Sequence, residues 1–374
     1  MAITIRHHLG LSASNEAFLQ EWDQLFAQSH NPVFYNDWRW HQLLGALLVE
    51  TPVYYFVAYD EGELIAIVPL TLTRRHKNGL ALRVLGFPHD VVADLCDLVL
   101  HKDKAGAPIL TAVLDYIQRH RLFKWDLLEL KQFGERSACF RLLDKQGLEP
   151  WGTSAFTRDT GSGLVNPLSK KQVKNVQRHT RHAEQEMGSL RLDQVDAPDK
   201  VAAAYEQFLS IEQAGWKGVS GTQSAIRLRP AACAFYQQVL RAFSEQQRAQ
   251  INLLYFGDAP VAAQMGLRTG NKLCLLKIGY DERVRDFGPG GIALLKCLDA
   301  EEAKRSEEVC LVTNPPWAHR WHFETETLWS YRRFNSHLFA RLLRVSLALR
   351  AWWKARSRTE AAPSPSETAT NAAD

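Results

Sequence analysis

The stretch Arg285-Asp-Phe-Gly-Pro-Gly-Gly291 carries the most information about the fold, because it follows an apolar, strand-like run and opens a helical one. A glycine-rich loop at the start of a helix points backbone N–H groups outward, and the helix dipole adds partial positive charge there. Pro289 has no N–H, so such contacts must come from Gly288, Gly290 and Gly291. This arrangement favours a bound pyrophosphate; the simpler alternative is an ordinary turn between a strand and a helix.

Three predicted strands lead into this loop. The run 250–256 is rich in β-forming residues, a turn follows at 257–260, and 261–268 is the return strand. A third strand, 272–280, ends just before the loop. Apolar runs separated by Gly, Asp, Asn and Pro predict an antiparallel meander.

The first part of the chain contains a similar hairpin over residues 53–74. Aligning Tyr59 with Tyr255 also aligns Ile65-Ala66 with Val261-Ala262, at an offset of 196 residues. Two hairpins in matching positions predict an internal repeat, that is, two copies of one fold. The alternative is coincidence, since hairpins are common in meanders.

The loop and its strands resemble the RxxGxG/A acyl-CoA pyrophosphate motif and the central meander of the GNAT acyltransferase superfamily. Residues 211–222 look like the E-x(3)-W-K-G-x(2)-G-T segment of one branch, and 276–282 are similar to its K-I-x-Y-D-E stretch. Residues 168–171, leading into Arg178 and Arg181, resemble its basic helix. That branch is the CelD-like acetyltransferases, which are related to the FemAB peptidoglycan aminoacyltransferases and linked to bacterial cellulose or exopolysaccharide synthesis.

The resemblance covers residues 30–335 and implies a mixed α/β (α+β) protein with a tandem GNAT-like fold. We therefore expect two mixed sheets flanked by helices. Residues 1–160 are expected to form a degenerate GNAT-like domain that shapes the acceptor site, because 85–88 do not match RxxGxG. Residues 161–335 are expected to form the GNAT-like domain that binds acyl-CoA.

The resemblance also implies acetyl-CoA as cosubstrate, held by Arg285 and the three glycines of the loop. Acyl transfer needs a donor for the developing oxyanion, and in this fold a backbone N–H of the third strand supplies it. Ile278 or Gly279 would be that donor. Asp281 and Glu282, just past the strand, are the candidate general bases; the alternative is that both are solvated turn carboxylates.

Four residues are candidates for the acceptor side. Lys277, in the middle of an apolar strand, would bind an acidic acceptor or orient the acyl group, unless it merely protects a sheet edge. Gln264 on the neighbouring strand would face the same cleft. Trp216 suits a sugar ring and Lys217 a phosphate or carboxylate; the alternative is a core tryptophan beside a surface lysine.

A basic segment lies between the halves. Residues 169–182 contain five Lys/Arg and no acidic residue. Lys170, Lys174 and Arg178 share one helical face, which would contact a diphosphate or nucleotide-sugar, or simply be solvated. Two histidines on this helix lack a third ligand, so we predict no metal site.

The composition is that of an ordinary globular protein, with 46% hydrophobic and 23% charged residues. A net charge of +4 is too modest to indicate DNA binding. None of the six cysteines forms a CxxC pair, which disfavours a zinc site and fits free thiols in a reducing cytoplasm. The N-terminus lacks an apolar signal core, and we predict no transmembrane helix.

The end of the chain is distinctive because residues 332–358 contain no acidic residue. We predict a basic amphipathic helix over 336–358, whose apolar residues fall on one arc. Two alternatives stand: residues 338–354 lie on the inner-membrane surface, or the apolar arc packs on the first domain. Residues 359–374, rich in Ala, Pro, Ser and Thr, are expected to be disordered.

Together these features favour a cytoplasmic acyltransferase, either free or peripheral to the inner membrane. It would transfer acetyl from acetyl-CoA to an amine or hydroxyl of a cell-envelope saccharide or nucleotide-sugar precursor. One alternative is a FemAB-like transferase that uses aminoacyl-tRNA. Another is a catalytically inactive GNAT scaffold in polysaccharide synthesis.

Overall fold

A computed structural model describes residues 3–77, 80–93, 95–104, 109–143, 146–158, 164, 168–218 and 221–360. The strands are β1 (Thr4–Leu9), β2 (Val53–Asp60), β3 (Glu63–Lys77), β4 (Leu80–Gly86), β5 (Val99–Leu100), β6 (Leu127–Gly134), β7 (Leu148–Arg158), β8 (Leu190–Val195), β9 (Ala249–Phe256), β10 (Ala259–Thr269), β11 (Lys272–Tyr280), β12 (Glu308–Cys310) and β13 (Glu324–Phe334). The α-helices are α1 (Glu16–Ala27), α2 (Trp38–Leu47), α3 (Ile109–Arg119), α4 (Ala138–Leu142), α5 (Lys170–Met187), α6 (Pro198–Ala214), α7 (Pro230–Ser244), α8 (Pro289–Ala303) and α9 (Leu338–Glu360).

These strands form one mixed sheet in the order β1-β2-β3-β4-β6-β13-β7-β12-β11-β10-β9-β8, with β5 beside β3. Each half of the chain contributes an antiparallel meander, β1 to β4 and β8 to β11. In each half, a helix then connects the meander to a further strand that is parallel to the last strand of the meander. This strand is β6 beside β4 in the first half and β12 beside β11 in the second. The predicted mixed α/β class, with helices flanking the strands, is confirmed. The two predicted sheets are joined into one.

The joining follows from an exchange of strands between the halves. β7 leaves the first half and pairs with β12 of the second, whereas β13 returns from the second half and pairs with β6 of the first. β7 and β13 also pair with each other. Because each strand satisfies backbone groups that would otherwise form an open edge, the sheet runs without a break. The predicted boundary at residue 160 therefore divides the chain but not the sheet.

The two meanders share a β-bulge at the same aligned position. The extra residue is Ile65 in the first hairpin and Val261 in the second, 196 residues later. The pairs next to the bulges keep the same offset: Ala58–Ala66 with Leu254–Ala262, and Val57–Ile67 with Leu253–Ala263. A bulge changes the direction of a strand, so unrelated hairpins have no reason to share its position. The predicted internal repeat is present in the structure.

The core also links the halves. Phe208 of α6 and Phe243 of α7 are fully buried against the second meander. Trp40 of α2, from the first half, belongs to the same cluster, and its ring packs at right angles on Phe235, with centroids 5.0 Å apart. The opposite face of this meander is covered by α5 and α8.

The last described helix, α9, packs on the first half through Leu343, which contacts Leu82, Val84 and Leu127. It runs to Glu360, two residues beyond the predicted end. The remainder of the predicted tail, 361–374, lies outside the described residues. In the described part of the chain, no helix has the length and apolar character needed to cross a membrane.

Candidate active site

The site begins where β11 and β12 separate. The two strands pair at three positions, from Lys272–Glu308 to Cys274–Cys310, and β11 then continues to Tyr280 paired with β10 only. A cavity of about 960 Å³ opens between their diverging ends, lined by residues 275–280 on one side and 311–313 on the other. Beyond Cys274, no strand of the described chain pairs with this edge of β11, so a ligand can bond to backbone groups there.

The first half of the chain supplies the far wall of this cavity. Trp40 of α2, Gln132 of β6, and Trp151 and Thr153 of β7 line it, together with the loop 91–93. The volume lies in the range typical of sites for small organic ligands. The cavity is therefore lined by residues of both halves of the chain.

The glycine loop lies at the mouth of the cavity, although two of its N–H groups are already used. Gly288 adopts a left-handed conformation (φ 64°) and donates its N–H to the carbonyl of Arg285 at 2.9 Å. The Gly291 N–H donates to the carbonyl of Gly288 at 3.0 Å. Within the described residues, the Gly290 N–H donates to no backbone carbonyl. The predicted cradle of three N–H groups is thus reduced to Gly290, supported by the dipole of α8.

The charge of the cavity is positive. Arg285 at the mouth is exposed, with its nearest carboxylate on Asp286 at 3.6 Å. The described lining contains no carboxylate. Its cations are Lys277, Arg285 and Arg320, together with Lys217, whose charge Glu212 balances from behind the lining. The described residues also contain no cluster of three or more His, Cys, Asp or Glu side chains able to hold a metal ion. This lining favours an anionic ligand.

The hydrogen bonds of β11 show which backbone group faces the cavity. The Asp281 N–H donates to the carbonyl of Val261 on the β10 side at 2.8 Å. Because hydrogen-bonding direction alternates along an antiparallel strand, Gly279 also bonds to β10, whereas Ile278 points its N–H and C=O the other way. The Ile278 carbonyl accepts a hydrogen bond from Lys217 Nζ at 3.0 Å. Of the two predicted oxyanion donors, the geometry favours Ile278.

Lys217 is held in place by Glu212, which we did not single out in the sequence. Lys217 Nζ lies 2.9 Å from Glu212 Oε1, and Glu212 Oε2 accepts the Ile226 N–H at 2.9 Å. A Cβ at Gly279 would lie 3.0 Å from Glu212 Cα, so α6 packs directly on β11 here. The sequence did contain a sign that Glu212 matters, because Glu212 is the first residue of the E-x(3)-W-K-G segment. Trp216 of that segment is 54% exposed and lines the cavity.

Two further predicted residues also line the cavity. Lys277 Nζ lies 5.6 Å from the ring centroid of Tyr236, a weak cation–π contact. Gln264 is buried, and its Oε1 accepts a hydrogen bond from Asn252 Nδ2 at 2.9 Å. Their placement favours a role in ligand binding over protection of a sheet edge.

The carboxylates predicted as general bases have other partners. Asp281 caps the 3₁₀ turn Glu282–Phe287 by accepting the Arg283 N–H at 2.9 Å. Hydrogen bonds from Arg283 hold the pKa of Asp281 below its ordinary value. Glu282 hydrogen-bonds Tyr280, and burial together with this carboxylate raises the pKa of Tyr280. Neither carboxylate is among the described residues of the lining, and the role of either as a general base stays a prediction.

The predicted basic face of α5 does not line the cavity either. The helix presents Gln172, Asn175, Val176 and His179 to the cavity. Lys170, Lys174 and Arg178 lie on the opposite face and are exposed. Burial of Val176 fixes this orientation, because charged side chains keep their hydration on the outside. Their predicted contact with a diphosphate carrier or nucleotide-sugar stays a prediction, without support from this cavity.

Comparison with known proteins agrees with this geometry. Residues 170–315 match the model of a family described as an acetyltransferase (GNAT) domain, a range that includes α5 to α8 and β8 to β12. No curated protein matches the chain significantly.

Several solved structures share the fold over most of the chain. A crystal structure of FemX covers 91% of this chain and 99% of its own, with a TM-score of 0.58 and 11% identity. L-PGS from Bacillus licheniformis covers 87% and 95%, with a TM-score of 0.50 and 10% identity. A conserved protein of unknown function from Bacteroides thetaiotaomicron VPI-5482 covers 85% and 97%, with a TM-score of 0.50 and 10% identity. At such identities the likeness shows the fold alone.

Proposed function

We propose that the GNAT acetyltransferase domain formed by residues 170–315 transfers acetyl from acetyl-CoA to an amine or hydroxyl of a cell-envelope saccharide or nucleotide-sugar precursor. The observation that carries this proposal is a single cavity bounded by the glycine loop and by the unpaired edge of β11. The sequence motifs shared with CelD-like acetyltransferases support the choice of acceptor class.

The donor end of the cavity suits a diphosphate. The Gly290 N–H and the N-terminus of α8 would bind the pyrophosphate, and Arg285 and Arg320 would neutralise its charge. The acyl chain would then follow the unpaired edge of β11. This brings the thioester carbonyl towards the Ile278 N–H, the backbone donor that faces the cavity.

In the transfer step, the acceptor nitrogen or oxygen bonds to the acyl carbon and the C–S bond breaks. The acceptor loses a proton, and the departing thiolate takes one up, so the charges balance. The Ile278 N–H would stabilise the oxyanion formed in between. Lys217 and Glu212 act as positioning residues, because their hydrogen bonds fix the orientation of this part of β11.

The acceptor end suits a sugar that carries an anionic group. Trp151 and Trp216 are both exposed and line the cavity, and aromatic faces pack well against sugar rings. Lys277 supplies the positive charge at this end. A nucleotide-sugar has both features, an apolar ring face and phosphates.

Calorimetry with acetyl-CoA tests the donor assignment. Wild type should bind at micromolar concentration, and Gly290→Glu should weaken binding at least tenfold, because it places a bulky anion at the proposed pyrophosphate position. Gly45→Glu in α2 adds the same charge outside the cavity lining and should bind like wild type. Absence of binding by wild type, or equal binding by both variants, would refute the assignment.

Transfer of an aminoacyl group from tRNA remains the second candidate. The exposed basic face of α5, formed by Lys170, Lys174 and Arg178, favours it because such a face fits a polyanion. It predicts salt-sensitive tRNA binding that is lost when the three residues are changed to Gln. If neither acetyl-CoA nor tRNA binds, the inactive scaffold becomes the better explanation.

A further inference from the structure

The outer face of α9 carries an apolar stripe that the rest of the described chain leaves uncovered. We define the stripe as Leu338, Leu342, Val345, Leu349 and Trp353, which are between 56% and 74% exposed. Their spacing of three to four residues keeps them on one side of the helix. Single exposed apolar residues are ordinary on protein surfaces, but a continuous stripe marks an interaction site.

The opposite face of α9 holds the helix on the protein. Ala340 and Leu343 are buried, and Leu343 packs against Leu82, Val84 and Leu127 of the first half. We expected α9 either to pack on the first domain or to lie on a membrane. The helix does pack on the first domain, but only through the narrow face that carries Ala340 and Leu343. The wider apolar arc points to solvent, so the helix can remain attached while the stripe contacts a partner.

The charge around the stripe identifies the kind of partner. Residues 332–358 contain eight Lys or Arg and no Asp or Glu. Arg341 is exposed beside the stripe, and Arg344 is exposed further round the helix. A second copy of the segment 338–358 would bring like charges together without a compensating carboxylate from that segment. Anionic headgroups above an apolar layer complement both features. We propose that the stripe docks the protein on an anionic membrane surface, with α9 lying in the plane of the interface.

The fold connects this surface to the cavity. Leu328 of β13 lines the cavity, and Phe334 of the same strand packs beneath α9. At about 3.3 Å per residue, the two positions are roughly 20 Å apart. If the proposed function holds, docking would bring the acceptor end close to saccharides carried on or built at the membrane. The docking itself does not depend on acyl-CoA binding.

Co-sedimentation of the full chain with lipid vesicles tests the proposal. Wild type should bind vesicles of phosphatidylglycerol and phosphatidylcholine, bind phosphatidylcholine alone much more weakly, and be released by salt. Leu342→Gln with Leu349→Gln should reduce binding at least tenfold. Leu9→Gln, at a residue 64% exposed on β1, removes a comparable apolar side chain elsewhere and should leave binding unchanged.

Three results would overturn the proposal: wild type fails to bind anionic vesicles at low salt, the double variant binds as tightly as wild type, or sedimentation shows a dimer that the double variant dissociates. Should the double variant unfold, Arg341→Gln with Arg344→Gln replaces it and must weaken binding to the anionic vesicles. Calorimetry with acetyl-CoA, run on the same samples, separates a failure of docking from a failure of the proposed reaction.

Discussion

At the scale of single residues, the site depends on one buried ion pair. Glu212 is 2% exposed, and taking its charge out of water is costly unless its oxygens are bonded. Lys217 satisfies one oxygen and the Ile226 N–H the other. Lys217 in turn bonds the Ile278 carbonyl, so the pair sets the position of the backbone group that faces the cavity.

Asp281 provides a test of the predicted general-base role. Asp281→Asn keeps an oxygen able to cap the 3₁₀ turn and loses only an ion pair with the exposed Arg283, which solvent screens. We expect the rate of CoA release with an amino-sugar acceptor to stay within about twofold of wild type. A general base would instead contribute roughly a hundredfold or more.

Asp281→Ala serves as the companion variant. This variant also removes the cap, so it should lower the free energy of unfolding by about 1 kcal/mol. Its turnover should stay close to that of wild type. A fall in turnover of a hundredfold in the Asn variant, with stability unchanged, would restore Asp281 as the base.

At the scale of elements, a cluster of ion pairs links the exchanged strand β13 to the neighbouring strand β6. Glu129 of β6 is buried and pairs with Lys131 and with Arg332 of β13, both at 2.9 Å, and with Arg75 of β3. Burial by itself would raise the pKa of Glu129, but hydrogen bonds and charges of Lys131 and Arg75 lower it to about 2.

This cluster predicts a dependence of stability on pH. An unfolded glutamate titrates at about 4.3, above the folded value, so the stabilising contribution is complete above about pH 5 and is lost as the pH falls towards about 2. Glu129→Gln should lower the free energy of unfolding at neutral pH by about 3 kcal/mol, because three cations lose their shared partner. Urea unfolding across this range should give a shallower pH dependence for the variant.

Glu149→Gln is the matched control, since Glu149 pairs with the same Arg332 but is 53% exposed. Its stability should change by less than about 1 kcal/mol. Equal pH profiles for Glu129→Gln and wild type would show that Glu129 does not contribute in this way.

At the scale of the whole molecule, the strand exchange makes the halves depend on each other. β13 lies between β6 and β7, and β7 lies between β13 and β12. A chain cut at the predicted boundary would leave fragment 1–160 without β13 and fragment 161–374 without β7. Each fragment would then expose strand edges that are paired in the intact protein.

We therefore expect neither fragment to unfold cooperatively on its own, and the two to co-purify as a complex when co-expressed. Circular dichroism during thermal unfolding and size-exclusion chromatography measure the two outcomes. A monomeric fragment 1–160 with a sharp unfolding transition would mean that the first half is an independent domain.

Much of this fold was predictable because its signals are local in sequence. The glycine loop, the meanders and their offset depend on residues close together in the chain, and the shared bulge at Ile65 and Val261 confirms the repeat. Several lining residues of the second half, including Lys277 and Gln264, were predicted for the same reason. The role of Asp281 stays a prediction, because a capping carboxylate and a catalytic one look alike in sequence.

The sequence by itself determined the fold class, the repeat, the apolar and basic character of α9 and the segments from which the cavity is built. Only the tertiary structure decided the exchange of β7 and β13, the pairing of Lys217 with Glu212, and which face of α5 or α9 meets solvent. The reason is physical: hydrophobic periodicity and turn chemistry act over a few residues. Strand partners and helix orientation are instead chosen by contacts between residues far apart in the chain, and no short stretch encodes them.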